Sequence, residues 1–128
     1  MKALVALALL VTGVIHLLPL AGVTGAPRLA TLYGVDIADP NLLLLMRHRA
    51  VLFGLLGVYF IGAALRPAWR TSALVAGFVS VVSFLVLAWL GDATNAQIGR
   101  VVAADLVALA CLVVAAAIHA FGARRREP

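Results

Sequence analysis

Charged residues are scarce in this sequence: 12% of the 128 residues are Asp, Glu, Lys or Arg, whereas 65% are hydrophobic. Soluble domains are about 45–50% apolar and about 25% charged, so the chain lacks the charge that a water-facing surface needs. Acidic residues are the rarest class, with five Asp and Glu against ten Lys and Arg. The basic residues flank long uncharged runs instead of forming one patch, so we expect no nucleic-acid partner. The composition excludes a soluble domain and indicates an integral membrane protein.

Three further signals are missing. The single cysteine, Cys111, lies in an apolar run, so an internal disulfide cannot form. No period of 20–50 residues repeats along the chain, which disfavours a repeat protein or an inverted-repeat transporter. No recognisable spacing of a nucleophile and a base occurs, and we therefore favour a protein without catalytic activity over an enzyme.

Four apolar runs are long enough to cross a bilayer, which takes about 20 residues in a helix. We predict an all-α, integral membrane four-helix bundle in one domain, with helices near residues 3–20, 41–65, 71–90 and 99–121. The first run is longer than the apolar part of a signal peptide, so we expect a permanent helix. Asp39 and Pro40 predict the start of the second helix, and Arg66-Pro67 predicts its end. The segment between the first two spans is long enough for a short surface helix, at residues 27–33.

The flanking cations predict the orientation, because cytoplasmic loops of membrane proteins are enriched in Lys and Arg. With both termini inside, the inner side holds Lys2, Arg66, Arg70, Arg124, Arg125 and Arg126. The outer side then holds Arg28 and Arg100. We expect a multi-pass protein of the bacterial cytoplasmic (inner) membrane, with a basic cytoplasmic tail at 124–128 that contacts anionic membrane lipids.

Charged side chains inside the spans are costly and therefore need partners. Arg47 shares a helical stripe with small residues, which lets helices approach closely and predicts an inward orientation. That stripe contains Ala50, Gly54, Gly57 and Ile61. Asp105 lies on a similar stripe of the fourth span at a similar depth, so we predict a buried Arg47–Asp105 ion pair. Arg49 lies about 200° round the helix from Arg47, and we expect it to face lipid and reach outward to the head groups.

The remaining polar side chains extend this pair into a predicted cluster in the outer half of the bundle. His16 points inward near the outer end of the first span, and the third span adds two serines. The predicted cluster consists of His16, Arg47, His48, Ser80, Ser83 and Asp105. Each member also has an ordinary structural interpretation: the ion pair as a brace, His16 as a hydrogen-bonded core residue, and the serines bonded back to their own helix. The role of His48 stays open.

Three segments carry a resemblance to known proteins. They are Leu32-Tyr33-Gly34-Val35, the run from Leu45 to Gly54 with its Arg-x-Arg motif, and Val82-Ser83-Phe84-Leu85. With these segments the chain resembles a family of small uncharacterised bacterial four-span membrane proteins, over nearly its whole length. Members often carry the name phosphopantetheine adenylyltransferase, but this chain has neither the His-x-Gly-His phosphate motif nor the strand–helix alternation of that enzyme. A looser likeness is to DoxX-like four-helix membrane proteins, which carries over no catalytic residue.

The polar cluster above an apolar inner half indicates a pocket rather than a channel. We expect the protein to bind an amphiphilic or lipid-like ligand, or a membrane partner, without a cofactor. One alternative is a membrane enzyme that acts on a lipid or quinone, with His16 or His48 as acid and base. Another is a haem protein with the same two histidines as axial ligands. The glycines at 54, 57 and 62 also allow a homo-oligomer.

Overall fold

The computed structural model describes residues 1–91 and 95–124, with the side chains of 1–91 and 95–122. Five helices and two short 3₁₀ stretches make up this part, and it contains no strand. They are α1 (Lys2–Leu17), a 3₁₀ segment (Leu18–Thr24), α2 (Ala26–Tyr33), α3 (Pro40–Leu65), a 3₁₀ turn (Pro67–Trp69), α4 (Arg70–Leu90) and α5 (Ala96–Arg124).

Four helical stretches are long and apolar enough to cross a membrane. They are Lys2–Thr24, Pro40–Leu65, Pro67–Leu90 and Ala96–Gly122. The prediction of an all-α, four-helix membrane bundle is therefore confirmed. Of the predicted basic tail, 125–128 lie outside the described residues.

Local signals set most of the helix ends where the sequence predicts them. The carboxylate of Asp39 accepts hydrogen bonds from the backbone N–H groups of Asn41 and Leu42, both at 2.8 Å, and Pro40 opens α3. Arg66 adopts an extended backbone before Pro67, which ends α3 at Leu65.

Three helix ends differ by three residues from the prediction, and one of them is the end of the last helix, at Arg124 instead of residue 121. The first helix ends at Leu17 instead of residue 20, and the chain continues as the 3₁₀ segment. Pro19 explains the change, because it has no N–H to donate and its ring clashes with the preceding turn of an α-helix. The last helix begins at Ala96, three residues earlier than predicted. Asn95 stabilises this start, since its side-chain oxygen accepts from the backbone N–H of Ile98 at 2.8 Å.

Helix α1 is the centre of the bundle and packs against α3 and α5. Its contact with α3 is close enough that a Cβ at Gly57 would lie 2.9 Å from the carbonyl oxygen of Gly13. The buried core of the bundle is apolar and includes Leu9, Phe60 and Leu112. Helix α4 packs mainly on α5 and touches α3 sparsely. A cleft therefore separates α3 from α4.

Helix α2 lies over one end of the bundle. Leu29 and Tyr33 anchor it in a second small core together with Ile37. Gly34 ends α2 in the left-handed conformation at φ 66°, which glycine adopts without strain. The side-chain amide of Asn95 donates to the carbonyl oxygens of Tyr33 and Gly34, at 2.8 and 3.2 Å. Asn95 thus joins the end of α2 to the start of α5.

Candidate ligand-binding site

A cavity of about 380 Å³ lies where α2 covers the end of the bundle. We call it the polar cavity. Its walls come from α1, the 3₁₀ segment and all four other helices. They consist of Ile15, His16, Leu18, Pro19, Arg28, Thr31, Leu32, Tyr33, Arg49, Phe53, Phe84, Gln97, Arg100, Val101, Ala104 and Asp105. The lining includes three arginines and one aspartate, an excess of two positive charges when all four are ionised.

Arg49 projects into the polar cavity from α3. Its guanidinium carbon lies 4.7 Å from the centre of the Phe53 ring and 5.3 Å from that of Tyr33. Its Nη1 donates a hydrogen bond to the Tyr33 hydroxyl at 3.0 Å. Two aromatic faces and a hydrogen bond therefore hold this cation, which compensates for the water that it loses on partial burial.

Asp105 lies on α5 at the same cavity, with 8% of its surface exposed. Residues 1–91 and 95–122 contain no ion pair with an N–O distance of 4.0 Å or less. Arg49 and Asp105 therefore line one cavity without touching. A carboxylate and a guanidinium held apart in this way can both contact one bound polar group.

His16 lies deeper, at the end of α1, and is 2% exposed. Its Nδ1 lies 2.9 Å from the carbonyl oxygen of Thr12, which can only accept, so Nδ1 carries a proton. In the neutral ring Nε2 then accepts from the Ser80 hydroxyl at 3.2 Å. The ring also packs edge-on against Phe60, with the ring centres 4.9 Å apart. These contacts fix His16 and link α1 to α4 beneath the cavity.

The predicted Arg47–Asp105 ion pair is absent from the structure. Arg47 is exposed, and its Nε donates to the carbonyl oxygen of Val23 at 2.8 Å. The small-residue stripe below Arg47 is buried as predicted, but it packs on α1 and the 3₁₀ segment, with Leu20 over Gly54. Because the 3₁₀ segment lies against this stripe, Arg47 bonds to Val23 of that segment and does not reach Asp105 on α5.

The prediction that Arg49 faces lipid is also wrong, because Arg49 lines the polar cavity. The stripe that it shares with Phe53 and Phe60 is not a lipid-facing surface, since Phe60 is fully buried and Phe53 half-buried. The stripe of small residues on α3 is covered by α1, and the stripe with Phe53 and Phe60 packs against His16. The inward cation is therefore Arg49, the second of the two arginines.

The other predicted members of the cluster separate. Ser80 contacts His16, whereas Ser83 is exposed and donates to the backbone oxygen of Ser80 at 3.0 Å. His48 is exposed on α3, on a stripe with Leu52 and Leu55. Thus His16, Ser80 and Asp105 lie at or beside the polar cavity, whereas Arg47, His48 and Ser83 do not line it.

The haem alternative gains no support from this arrangement. Both ring nitrogens of His16 already contact protein groups, and His48 lies on the exposed stripe. Over the described part of the chain, no group of three or more His, Cys, Asp or Glu residues is placed to hold a metal ion.

The glycines expected at a homo-oligomer interface make contacts within the chain. A Cβ at Gly54 would lie 2.7 Å from a methyl carbon of Leu20, and one at Gly57 would lie 2.7 Å from Leu17. A Cβ at Gly62 would lie 3.1 Å from the indole ring of Trp69. Close packing on these glycines therefore serves the fold of one chain.

Besides Arg49, the cavity residues that the sequence analysis missed include Arg28, Tyr33, Phe53 and Arg100. Arg28 and Arg100 were assigned to the outer side but only as orientation signals. A usable signal was present in α3, where the aromatic residues Phe53 and Phe60 follow Arg49 on one helical face. Aromatic faces attract guanidinium groups, so this stripe fits a partly buried arginine better than a lipid-facing one.

Comparisons of the chain with protein-family models, with curated proteins and with solved structures give no match. The resemblance to small bacterial four-span membrane proteins thus stays a prediction.

Proposed function

We propose that this multi-pass protein binds an amphiphilic, lipid-like molecule, with the polar head of the ligand in the polar cavity. The observation that carries the proposal is the placement of Arg49 and Asp105 at one cavity, at the end of a bundle with an apolar core. A structural brace needs two opposite charges in direct contact. Charges that line a cavity without touching suit a third molecule between them.

The composition of the cavity wall supports an amphiphile. Its charged and hydrogen-bonding groups are accompanied by apolar side chains, among them Ile15, Phe84 and Val101. Binding pockets for small molecules combine apolar walls with a few placed polar groups. The excess of two positive charges favours a head group that is anionic or rich in hydrogen-bond acceptors.

The proposal extends to the location of the protein. The cation count of the flanking segments supports a bacterial cytoplasmic membrane with both termini inside. In that orientation the polar cavity opens toward the outer leaflet.

Binding without catalysis is the better-supported form of the proposal. Of the two histidines expected to act as acid and base, His16 is engaged by Thr12 and Ser80, and His48 does not line the cavity. The two hydroxyl groups of the cavity wall are also engaged within the protein: that of Thr31 donates to the backbone oxygen of Pro27, and that of Tyr33 accepts from Arg49.

The test uses the two neighbouring arginines as a matched pair. The protein and its variants Arg49→Gln and Arg47→Gln are purified in mild detergent, and the co-purifying molecules are identified by mass spectrometry. We expect an amphiphile with the unchanged protein and with Arg47→Gln, and at least about a tenfold loss with Arg49→Gln, typical of losing a charge-assisted hydrogen bond. Equal retention by both variants would refute binding in this cavity.

A further inference from the structure

A second, apolar cavity of about 580 Å³ adjoins the polar cavity between α3 and α4. We call it the α3–α4 cleft. It is lined by Arg49, Leu52, Phe53, Leu56, Ala76, Val79, Ser80, Ser83, Phe84 and Leu87. Arg49, Phe53 and Phe84 line both spaces. The two cavities are therefore adjacent, with the cationic group of Arg49 at their junction.

We propose that the ligand is an anionic lipid whose head group lies in the polar cavity and whose acyl chain lies in the α3–α4 cleft. This rests on the proposed function and specifies the class of ligand. The part of the lipid that occupies the cleft is one hydrocarbon chain. The cleft adjoins the polar cavity, so a chain attached to the head group can enter it directly.

The cleft is apolar despite its two serines. The Ser80 hydroxyl donates to His16, and the Ser83 hydroxyl donates to the backbone of Ser80. Because both hydroxyl groups are used within the protein, the wall presents mainly carbon atoms to a ligand. Burying methylene groups there is favourable and strengthens binding about fourfold for each group.

The length and position of the cleft fit one acyl chain of a single leaflet. On α4 its lining residues extend from Ala76 to Leu87, which corresponds to about 16 Å along a helix axis. The hydrocarbon core of a bilayer is about 30 Å thick, so one leaflet contributes about 15 Å. On α3 the lining residues extend from Arg49 to Leu56, about 10 Å along the helix axis, so the cleft begins beside Arg49 and leads inward along the bundle.

The cleft is also open to the bilayer from the side. Leu52, Val79 and Leu87 line it and are 47%, 66% and 69% exposed. A lipid can therefore move laterally out of its leaflet into the cleft without passing through the packed core. The charge of the head group follows from the three arginines of the polar cavity, against one carboxyl group.

The first test measures which part of the lipid is bound. The protein in mild detergent is titrated with three probes under native mass spectrometry: long-chain lysophosphatidylglycerol, long-chain lysophosphatidylcholine and glycerol 3-phosphate. We expect the anionic lysolipid to bind at least about tenfold more tightly than either other probe. Equal binding of the zwitterionic lysolipid overturns the anionic head group. Equal binding of glycerol 3-phosphate overturns the acyl-chain site.

The second test fills the cleft. Val79→Phe places a larger side chain in it, and Val75→Phe is the matched control, because Val75 lies one turn away on α4, is 61% exposed and does not line the cleft. We expect Val79→Phe to weaken lysophosphatidylglycerol binding about tenfold, the effect of about two displaced methylene groups, and Val75→Phe to leave it unchanged. Equal binding by the two variants overturns the placement of the chain.

A chain-length series keeps the inference testable even if Val79→Phe misfolds. With the unchanged protein, affinity for lysophosphatidylglycerol should rise with chain length and level off once the chain fills the cleft. Affinity that is independent of chain length overturns the acyl-chain site but leaves head-group binding intact. The proposed function is tested separately with the Arg49→Gln variant. If this variant binds the lysolipid as tightly as the unchanged protein, head-group binding in the polar cavity is refuted.

Discussion

Arg47 and Arg49 show how two identical residues in one helix take different roles. A separation of two residues turns the side chains about 200° apart on a helix. Arg47 reaches the carbonyl oxygen of Val23 at an exposed position, whereas Arg49 stacks between the rings of Tyr33 and Phe53. The exposed hydrogen bond contributes little to stability, while the stacked and partly desolvated cation contributes more.

We expect the hydrogen bond between His16 and Ser80 to stabilise the fold. Ser80→Ala leaves Nε2 of a buried histidine without its partner, and we expect the free energy of unfolding to fall by about 1–3 kcal/mol. Ser83→Ala is the control, because Ser83 is exposed and bonds only within its own helix, so a change below about 0.5 kcal/mol is expected. Thermal unfolding in detergent measures both. Equal stability of the two variants would mean that the bond to His16 contributes nothing to the fold.

At the scale of helices, the 3₁₀ segment decides how the polar cavity is built. It extends the first span past the end of α1 and places Leu20 on Gly54 of α3. Leu18 and Pro19 of the same segment line the polar cavity. A continuous α-helix to residue 20 would direct these side chains differently, so the break at Pro19 shapes one wall of the site.

The close approach of α1 and α3 makes a prediction at this scale. Gly57→Ala would place a Cβ 2.9 Å from the backbone oxygen of Gly13, and a backbone atom cannot move aside cheaply. We expect the free energy of unfolding to fall by about 1–3 kcal/mol, as in other overpacked cores. Gly99→Ala is the control, since the added Cβ would have no atom within 4 Å apart from its chain neighbours and the backbone of its own helix. Its stability should be unchanged or higher by up to about 1 kcal/mol, because alanine favours helices.

The same pair of variants distinguishes packing within one chain from packing between copies. Size-exclusion chromatography with light scattering in detergent should give the same oligomeric state for both variants and for the unchanged protein. A change of oligomeric state with Gly57→Ala at unchanged stability would contradict the intramolecular role of this glycine.

For the whole molecule, the proposed orientation in the membrane can be tested by labelling cysteines from outside the cell. Replacing Cys111 by alanine provides a cysteine-free background, into which Ala26→Cys or Ala68→Cys is introduced. We expect a membrane-impermeant thiol reagent to label residue 26 in intact cells and residue 68 only after the membrane is opened. The reverse pattern would place the polar cavity on the cytoplasmic side.

Local features of the sequence were sufficient to predict the four spans and most of their ends. Hydropathy acts over about 20 consecutive residues, and the cap at Asp39 and the stop at Arg66-Pro67 act within one helical turn. Signals of such short range do not depend on which helices later become neighbours. The all-α membrane bundle and the inward placement of His16 and Asp105 could therefore be predicted from the sequence.

The composition of the polar cavity depended on the tertiary structure. A stripe of small residues indicates that a helix is approached closely, but it does not say by which partner. Here α1 and the 3₁₀ segment occupy that stripe, so Arg47 is directed to Val23 and Arg49 to the cavity. Tyr33 reaches Arg49 because Asn95, far away in the sequence, holds the end of α2 beside α5. Contacts between elements distant in the sequence decided which cation faces the cavity, because helical periodicity describes the faces of one helix and not their neighbours.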